Sequence, residues 1–168
     1  MLELKDHPAL LMWGLGNEVE LESDPALVFP ELQNIAAQVE ELAPDHPQMM
    51  VLAGADRRKL ELLREMCPSI DVIGVNKYGN VEQVPSILQN AGYEGPYMIT
   101  EFGPRGWWES PEAPWGADLE PTSLEKAEMY RFGYQEAVLN EPEKCLGSYV
   151  FLWGQKQEAT ETWFGMFL

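Results

Sequence analysis

Two glutamates follow short apolar segments, at positions where parallel α/β folds gather their functional groups. Glu18 closes the segment Trp13-Gly-Leu-Gly-Asn-Glu18, and Glu101 follows the apolar run Tyr97-Met-Ile-Thr100 directly. In such folds the functional side chains collect at the carboxyl ends of the strands. A carboxylate at the end of a buried strand is costly to desolvate unless it has partners or a chemical task. Both glutamates are therefore candidate catalytic groups.

Two carboxylates on one rim are what hydrolysis of a glycosidic bond requires. One protonates the leaving oxygen, and the other attacks the anomeric carbon or activates water. Asn17, beside Glu18, can both donate a hydrogen bond to a sugar hydroxyl and accept one from it. Two non-catalytic interpretations stay open. Glu18 joins Glu20 and Glu22 in a solvated acidic turn, and Glu101 is a strand-end acid held in a salt bridge.

Tryptophans are concentrated in a predicted loop and at one strand end. They are Trp107, Trp108, Trp115 and Trp153. An aromatic face stacks well on the C–H surface of a sugar ring, although any single tryptophan more often contributes to hydrophobic packing. Four on one rim indicate a carbohydrate-binding surface.

Short apolar segments alternate with amphipathic helical patterns, which is typical of parallel βαβ units. The predicted strands are Ala9–Trp13, Gln48–Ala53, Ile70–Val75, Pro96–Thr100 and Gly147–Leu152. The four predicted helices begin after an Asp24 N-cap, after an Asp56 N-cap, near Val84 (ending near Ala91), and after a Thr122–Glu125 capping box. Pro30 is expected to kink or restart the first helix. We predict one α/β domain over residues 1–168.

Composition excludes several classes of function. The formal charge of −17, with 11 basic residues, argues against binding to nucleic acid. No apolar run approaches the ~18 residues needed to cross a bilayer, so we expect no membrane partner. Cys67 and Cys145 lack metal-ligand spacing, and His7 and His46 each precede a proline. We expect no metal, no cofactor and no disulfide.

The paired motifs W-G-L-G-N-E at 13–18 and I-T-E-F-G at 99–103 resemble those of clan A glycoside hydrolases. In that clan an Asn-Glu pair ends the fourth strand of a (β/α)8 TIM barrel, and the nucleophilic Glu ends the seventh. The leading stretch H-P-A-L-L-M-W-G-L-G-N-E is most similar to glycoside hydrolase family 2. The resemblance implies a partial barrel, about strands four to eight, that would leave an open sheet edge.

The resemblance also implies a role for each matching residue. Glu18 would be the acid/base and Glu101 the nucleophile of a retaining enzyme acting on a β-linked oligo- or polysaccharide. Asn17 would bind the sugar 2-hydroxyl, Tyr78 would approach the nucleophile, and Trp153 would form the subsite floor. We also expect Trp107 and Trp108 to contact substrate, and Gln155, Lys156 and Gln157 to reach other hydroxyls.

Departures from the family pattern leave alternatives open. The early strands, which usually supply an arginine near the nucleophile, are missing, so we expect a fragment or a truncated gene product. A transglycosylase of the same fold and an inactive carbohydrate-binding fragment are the competing hypotheses. The N-terminal residues lack a signal-peptide pattern, and a secreted or periplasmic location of a full-length protein stays open.

Overall fold

A computed structural model describes residues 3–167 of the chain. The strands are β1 (Trp13–Asn17), β2 (Gln48–Ala53), β3 (Val72–Tyr78), β4 (Tyr97–Gly103) and β5 (Cys145–Val150). The helices are α1 (Pro25–Leu42), α2 (Arg57–Met66), α3 (Val84–Asn90) and α4 (Ser123–Tyr134). A π-helical turn over Gln135–Leu139 continues α4. The parallel strands form one sheet in the order β1-β2-β3-β4-β5. The predicted α/β class with five sequential strands is confirmed.

The chain divides into two compact units. The first contains the residues up to Val75 together with Ser86–Met98, and the second contains Asn76–Pro85 together with the residues from Ile99 onward. β3 and β4 each contribute residues to both units.

In the first unit, α1 and α2 begin at the predicted N-caps. The Asp24 carboxylate accepts a hydrogen bond from the Ala26 N–H (3.1 Å), and Asp56 accepts one from the Lys59 N–H (2.9 Å). Pro30 lies inside α1 without interrupting it. The buried apolar residues of this unit include Phe29, Leu32, Ala36, Val39, Met50, Leu52, Leu60 and Leu63.

In the second unit, α4 begins with the predicted capping box of Thr122 and Glu125. It packs closely on the chain after β3, since a Cβ built on Gly133 would lie 2.3 Å from Val81 Cγ1. Only a residue without a side chain allows this approach.

A buried polar cluster joins the start of α4 to the chain after β5. Lys126 forms an ion pair with Glu120 and donates to the Thr162 carbonyl (2.7 Å). Glu120 also accepts from the hydroxyls of Thr160 (2.6 Å) and Thr162 (2.8 Å). Burial on its own would raise the pKa of Glu120, but the bonds from Lys126, Thr160 and Thr162 together lower it.

The first strand is displaced from its predicted position. β1 begins at Trp13, where the predicted strand ends, because the preceding residues form turns closed by bonds such as His7 N–H to Leu4 O (2.9 Å). Pairing with β2 starts where the Trp13 N–H donates to the Pro47 carbonyl (2.9 Å). The sequence predicts Leu11 in a buried strand, but it is exposed.

Three other strands have shifted ends. The sequence predicts Asn76-Lys-Tyr78 as a loop and Glu101 just beyond a strand, but both segments lie within strands, in β3 and β4. These polar residues continue the strands because their side chains find partners, as when the Thr100 hydroxyl donates to Asn76 Oδ1 (2.7 Å). β5 begins at Cys145, two residues before the prediction.

The cysteines are buried and free of disulfides within residues 3–167. Burial raises the pKa of Cys67 to about 11, so its thiol stays protonated at neutral pH. In the same range, no helix has the length and hydrophobicity that crossing a bilayer would need.

We predict that Gly133→Ala destabilises the protein by about 1–3 kcal/mol, because the new methyl group overlaps Val81. In an exposed helix interior the same change stabilises by up to ~1 kcal/mol, so the expected sign is diagnostic. Urea denaturation measures the free energy of unfolding. Gly154→Ala, whose Cβ would meet open space, is the control. A Gly133→Ala variant as stable as the wild type would contradict the close packing.

We predict that Glu120→Gln lowers the free energy of unfolding at pH 7 by about 1–3 kcal/mol, because buried donors lose a charged acceptor. The pKa of Glu120 is lowered on folding. Its contribution is therefore complete above the unfolded pKa of about 4.3 and is lost as pH falls through the folded value. Denaturation from pH 7 to pH 3 should show the two proteins converging. Glu128→Gln, which removes an exposed pair with Arg131, serves as the control and should change stability much less.

Candidate functional site

In the second unit, the ends of β3 and β4 bring Tyr78 and Glu101 together. Tyr78 is the last residue of β3, and Glu101 lies two residues before the end of β4. Buried residues occupy most of both strands before these positions, so the strands hold the two polar side chains on rigid backbone. The Thr100–Asn76 bond lies one step behind the pair and links the same two strands.

The Tyr78 hydroxyl donates a hydrogen bond of 2.6 Å to Glu101 Oε2. A phenol–carboxylate bond of this length is among the stronger hydrogen bonds in proteins. It fixes the orientation of the carboxylate at the strand end. The family resemblance implies that Tyr78 approaches Glu101, and this hydrogen bond joins the two side chains.

The Tyr78 ring lies in an aromatic cluster, defined here as Tyr78, Trp107, Trp108, Phe151 and Phe164. Its centroid is 5.4 Å from Trp108, 5.8 Å from Phe151 and 5.1 Å from Phe164. Trp107 packs edge-on against Trp108, with ring centroids 5.5 Å apart, and so extends the cluster. Phe164 is buried, whereas Trp107 and Trp108 are 42% and 51% exposed. The cluster therefore packs around Tyr78 on one side and presents two indole rings to solvent on the other.

A single tyrosine hydroxyl holds the two phenylalanine segments of this cluster. Tyr130 Oη lies 2.9 Å from the Phe151 carbonyl oxygen and 3.0 Å from that of Phe164, so it can donate to either. Burial raises the pKa of Tyr130, which keeps the hydroxyl protonated as a donor. Gly103 lets the chain come close, since a Cβ there would lie 2.9 Å from the Phe151 carbonyl oxygen.

A groove of about 390 Å³ borders the exposed edge of the cluster and is lined by Trp107, Glu158 and Ala159. Lys156 pairs with Glu158, and its ammonium lies 5.5 Å from the centroid of the Phe151 ring. The pKa of Lys156 is raised, mainly by the bond and charge of Glu158 and, less, by the charge of Glu101. A carboxylate and an indole thus line the groove, and an ammonium pairs with that carboxylate.

Three other residues predicted to bind substrate contact the chain after β5. Trp153 packs edge-on against Phe167, with centroids 5.0 Å apart, and is 70% exposed. Gln155 donates to the Phe167 carbonyl (3.2 Å) and Gln157 to that of Ala159 (3.4 Å). Trp115 is 78% exposed.

Asn17 and Glu18 belong to the first unit. Asn17 is the last residue of β1, and Glu18 adopts a left-handed backbone conformation with φ of 53°. The Glu18 N–H donates to the Val51 carbonyl (2.9 Å), and the Leu21 N–H returns to the Glu18 carbonyl (3.0 Å). The predicted alternative of a solvated acidic turn agrees with Glu22, which is exposed, but not with Glu20, which is buried.

Three residues of the second unit are absent from the sequence-based site: Tyr130, Phe151 and Phe164. Tyr130 falls on a predicted helix face, and Phe151 on a predicted strand, so each pattern indicates only packing. Phe164 belongs to the apolar tail Thr162-Trp-Phe-Gly, whose aromatic residues are the one available signal. Their roles depend on contacts more than ten residues apart in sequence, which local patterns do not encode.

The site combines an oriented carboxylate with exposed aromatic faces, which suits a hydroxylated ligand with apolar C–H surfaces. Across the part of the chain that the structure describes, no three His, Cys, Asp or Glu side chains form a possible metal site.

No protein-family model matches this sequence, and neither does any curated protein. Solved structures do resemble it. The GH2 beta-galacturonidase from Eisenbergiella tayi bound to galacturonate is 18% identical, with a TM-score of 0.64, over 96% of this chain and 29% of that one. A Ruminococcus gnavus beta-glucuronidase is 16% identical, with a TM-score of 0.60, over 91% and 26%. A GH128 (subgroup V) exo-beta-1,3-glucanase from Cryptococcus neoformans is 13% identical, with a TM-score of 0.61, over 84% and 56%.

This chain therefore spans under a third of the two bacterial enzymes and about half of the fungal one. At these identities the likeness concerns the backbone. The chain has an α/β fold that is shared with parts of glycoside hydrolases.

Proposed function

We propose that this chain is part of a retaining β-glycosidase of clan A, most similar to glycoside hydrolase family 2. In this proposal residues 1–168 are the C-terminal portion of a catalytic domain, about strands four to eight of a (β/α)8 barrel. The substrate is a β-linked oligo- or polysaccharide. The observation that carries the proposal is the 2.6 Å bond that orients Glu101 at a strand end.

Glu101 is the proposed nucleophile and Glu18 the acid/base. A Glu101 oxygen attacks the anomeric carbon while the bond to the leaving oxygen breaks and that oxygen takes the Glu18 proton. Glu18 then removes a proton from water, which attacks the same carbon, and Glu101 leaves as a carboxylate. Each step conserves protons, and no cofactor is required.

The remaining residues bind and orient in this proposal. Tyr78 holds Glu101 in position for attack, and Asn17 bonds the sugar 2-hydroxyl. Trp153 forms the floor of the reactive subsite, which its 70% exposure leaves accessible. Trp107 and Trp108 stack on further sugar units, and their exposure and edge-on contact support this role.

A transglycosylase is the second candidate, favoured by the half-exposed indole ring of Trp107, which lines the groove together with Glu158. An apolar acceptor site would favour a sugar over water as the attacking group. Product analysis with excess acceptor sugar separates the two reactions, since hydrolysis products alone would exclude transfer.

An inactive carbohydrate-binding fragment is the third candidate, because the chain spans under a third of the bacterial enzymes. Calorimetry with oligosaccharides, beside an assay on aryl glycosides, separates binding from turnover.

We predict that a 2-fluoro β-glycoside with a dinitrophenyl leaving group labels Glu101 covalently. The fluorine slows both the formation and the release of the glycosyl intermediate, and the dinitrophenyl group speeds only its formation. Peptide mapping by mass spectrometry locates the label. Glu101→Gln should abolish labelling, whereas Glu109→Gln, which changes an acid in the segment after β4, should not. A label on any other residue would rule out Glu101 as the nucleophile.

We predict that Tyr78→Phe lowers kcat/KM about 10- to 100-fold, since the nucleophile loses its 2.6 Å hydrogen bond and its fixed orientation. The ring packing with Trp108, Phe151 and Phe164 is kept. The control is Tyr149→Phe, which removes an exposed hydroxyl and should leave kcat/KM unchanged. Equal activity of Tyr78→Phe and the wild type would contradict the role of this hydroxyl.

A further inference from the structure

Glu20 is a buried acid in the first unit, two residues beyond Glu18. Its side chain has no exposed surface, and its Oε1 atom accepts two hydrogen bonds. One comes from the Ala53 N–H (2.9 Å) and the other from Lys59 Nζ (3.1 Å). Lys59 Nζ also donates to the Ala53 carbonyl (2.8 Å), which closes a ring around the carboxyl end of β2.

Burial of this ion pair costs free energy, because both charges lose water. Lys59 is mostly buried too, with 19% of its side chain exposed. Glu20 Oε2 is buried and has no hydrogen-bond partner among the described residues. Apolar residues often replace a buried ion pair without loss of stability, so stability alone is a weak reason for this pair. Glu22, close by in the same segment, stays exposed as a loop glutamate ordinarily does.

The pair anchors a segment whose backbone conformation is strained. Gly16 has φ of 150° and Glu18 has φ of 53°, and the register with β2 shifts between Gly14 and Asn17. A left-handed glutamate persists only where its surroundings hold it. β2 supplies both anchors: the Val51 carbonyl accepts from the Glu18 N–H, and the Ala53 N–H donates to the Glu20 carboxylate.

We infer that the Glu20–Lys59 pair positions Glu18 for proton transfer, an inference that rests on the proposed acid/base role of Glu18. Two attachments to β2, on either side of Val19, determine where the Glu18 side chain leaves the backbone. General acid catalysis requires the acid within hydrogen-bond reach of the leaving oxygen, so a small displacement of this segment is costly to the reaction. Glu20 is thus a positioning residue.

Substrates that differ in leaving group separate this role from a general loss of structure. A phenyl glycoside needs its leaving oxygen protonated, whereas a 2,4-dinitrophenyl glycoside does not. With both glycosides of one sugar, Glu20→Ala is expected to lower kcat/KM roughly 10- to 100-fold on the phenyl substrate and under about 3-fold on the dinitrophenyl substrate. Glu20→Gln should recover part of the loss, because its amide oxygen can still accept from the Ala53 N–H. Glu22→Ala, which removes an exposed acid of the same segment, should match the wild type.

Equal losses on both substrates, or no loss on the phenyl substrate, would overturn the inference. If Glu20→Ala does not fold, Glu20→Gln and Lys59→Met decide. Each should show a loss confined to the phenyl substrate, and its absence in both variants would overturn the inference.

A measurement without turnover keeps this test separate from that of the proposed function. Amide hydrogen exchange, followed by NMR, should be faster at Glu18 in Glu20→Gln by about 10-fold, because the segment opens more readily. The Ile73 amide, bonded to the Pro96 carbonyl, is the internal reference and should not change. A wild-type chain that turns over no glycoside would favour the inactive fragment, the third candidate above, whereas an unchanged Glu18 amide would reject the positioning role.

Discussion

The hydrogen bond from Tyr78 to Glu101 is the contact around which the second unit is arranged. A phenol can hold a carboxylate in one orientation only if its ring is fixed, and Trp108, Phe151 and Phe164 fix it by edge-on and tilted packing. Those rings in turn depend on backbone segments distant in sequence, which Tyr130 holds through two carbonyl oxygens. Loss of the ring packing or of the Tyr130 hydrogen bonds would leave the Glu101 carboxylate less firmly oriented at the strand end.

Buried charges show a second constraint common to both units. Glu20 is a buried acid and Glu120 a partly buried one, and each has a lysine and further hydrogen-bond donors as partners. Exposed pairs such as Arg57–Glu61 contribute little to stability, because water and salt screen them. Both pairs join segments separated by loops, so they determine where those loops lie.

Local sequence patterns predicted correctly those helix starts and strand ends that depend on nearby residues. The N-caps at Asp24 and Asp56, the capping box of Thr122 and the bounds of β2 all agree with the structure, because each depends on groups within a few residues. The ends of β1, β3 and β4 differ, since strand ends depend on the partner strand. Pro30 is tolerated inside α1, where tertiary packing of Phe29 and Leu32 outweighs a local helix-breaking preference.

The sequence by itself determined the α/β alternation, the helix starts and the candidate acids Glu18 and Glu101. These follow from hydrophobic periodicity, capping chemistry and carboxylates at the ends of apolar segments. Tyr78 entered the candidate site only through the family resemblance. Only the tertiary structure decided that Tyr78 bonds Glu101, that Phe164 packs on Tyr78, and that Glu20 is buried while Glu22 is exposed. Glu20 and Glu22 are chemically identical and two residues apart, and what separates them is the end of β2, which supplies Ala53 and lies beside Lys59. A neighbour brought close by folding is information that no local pattern carries.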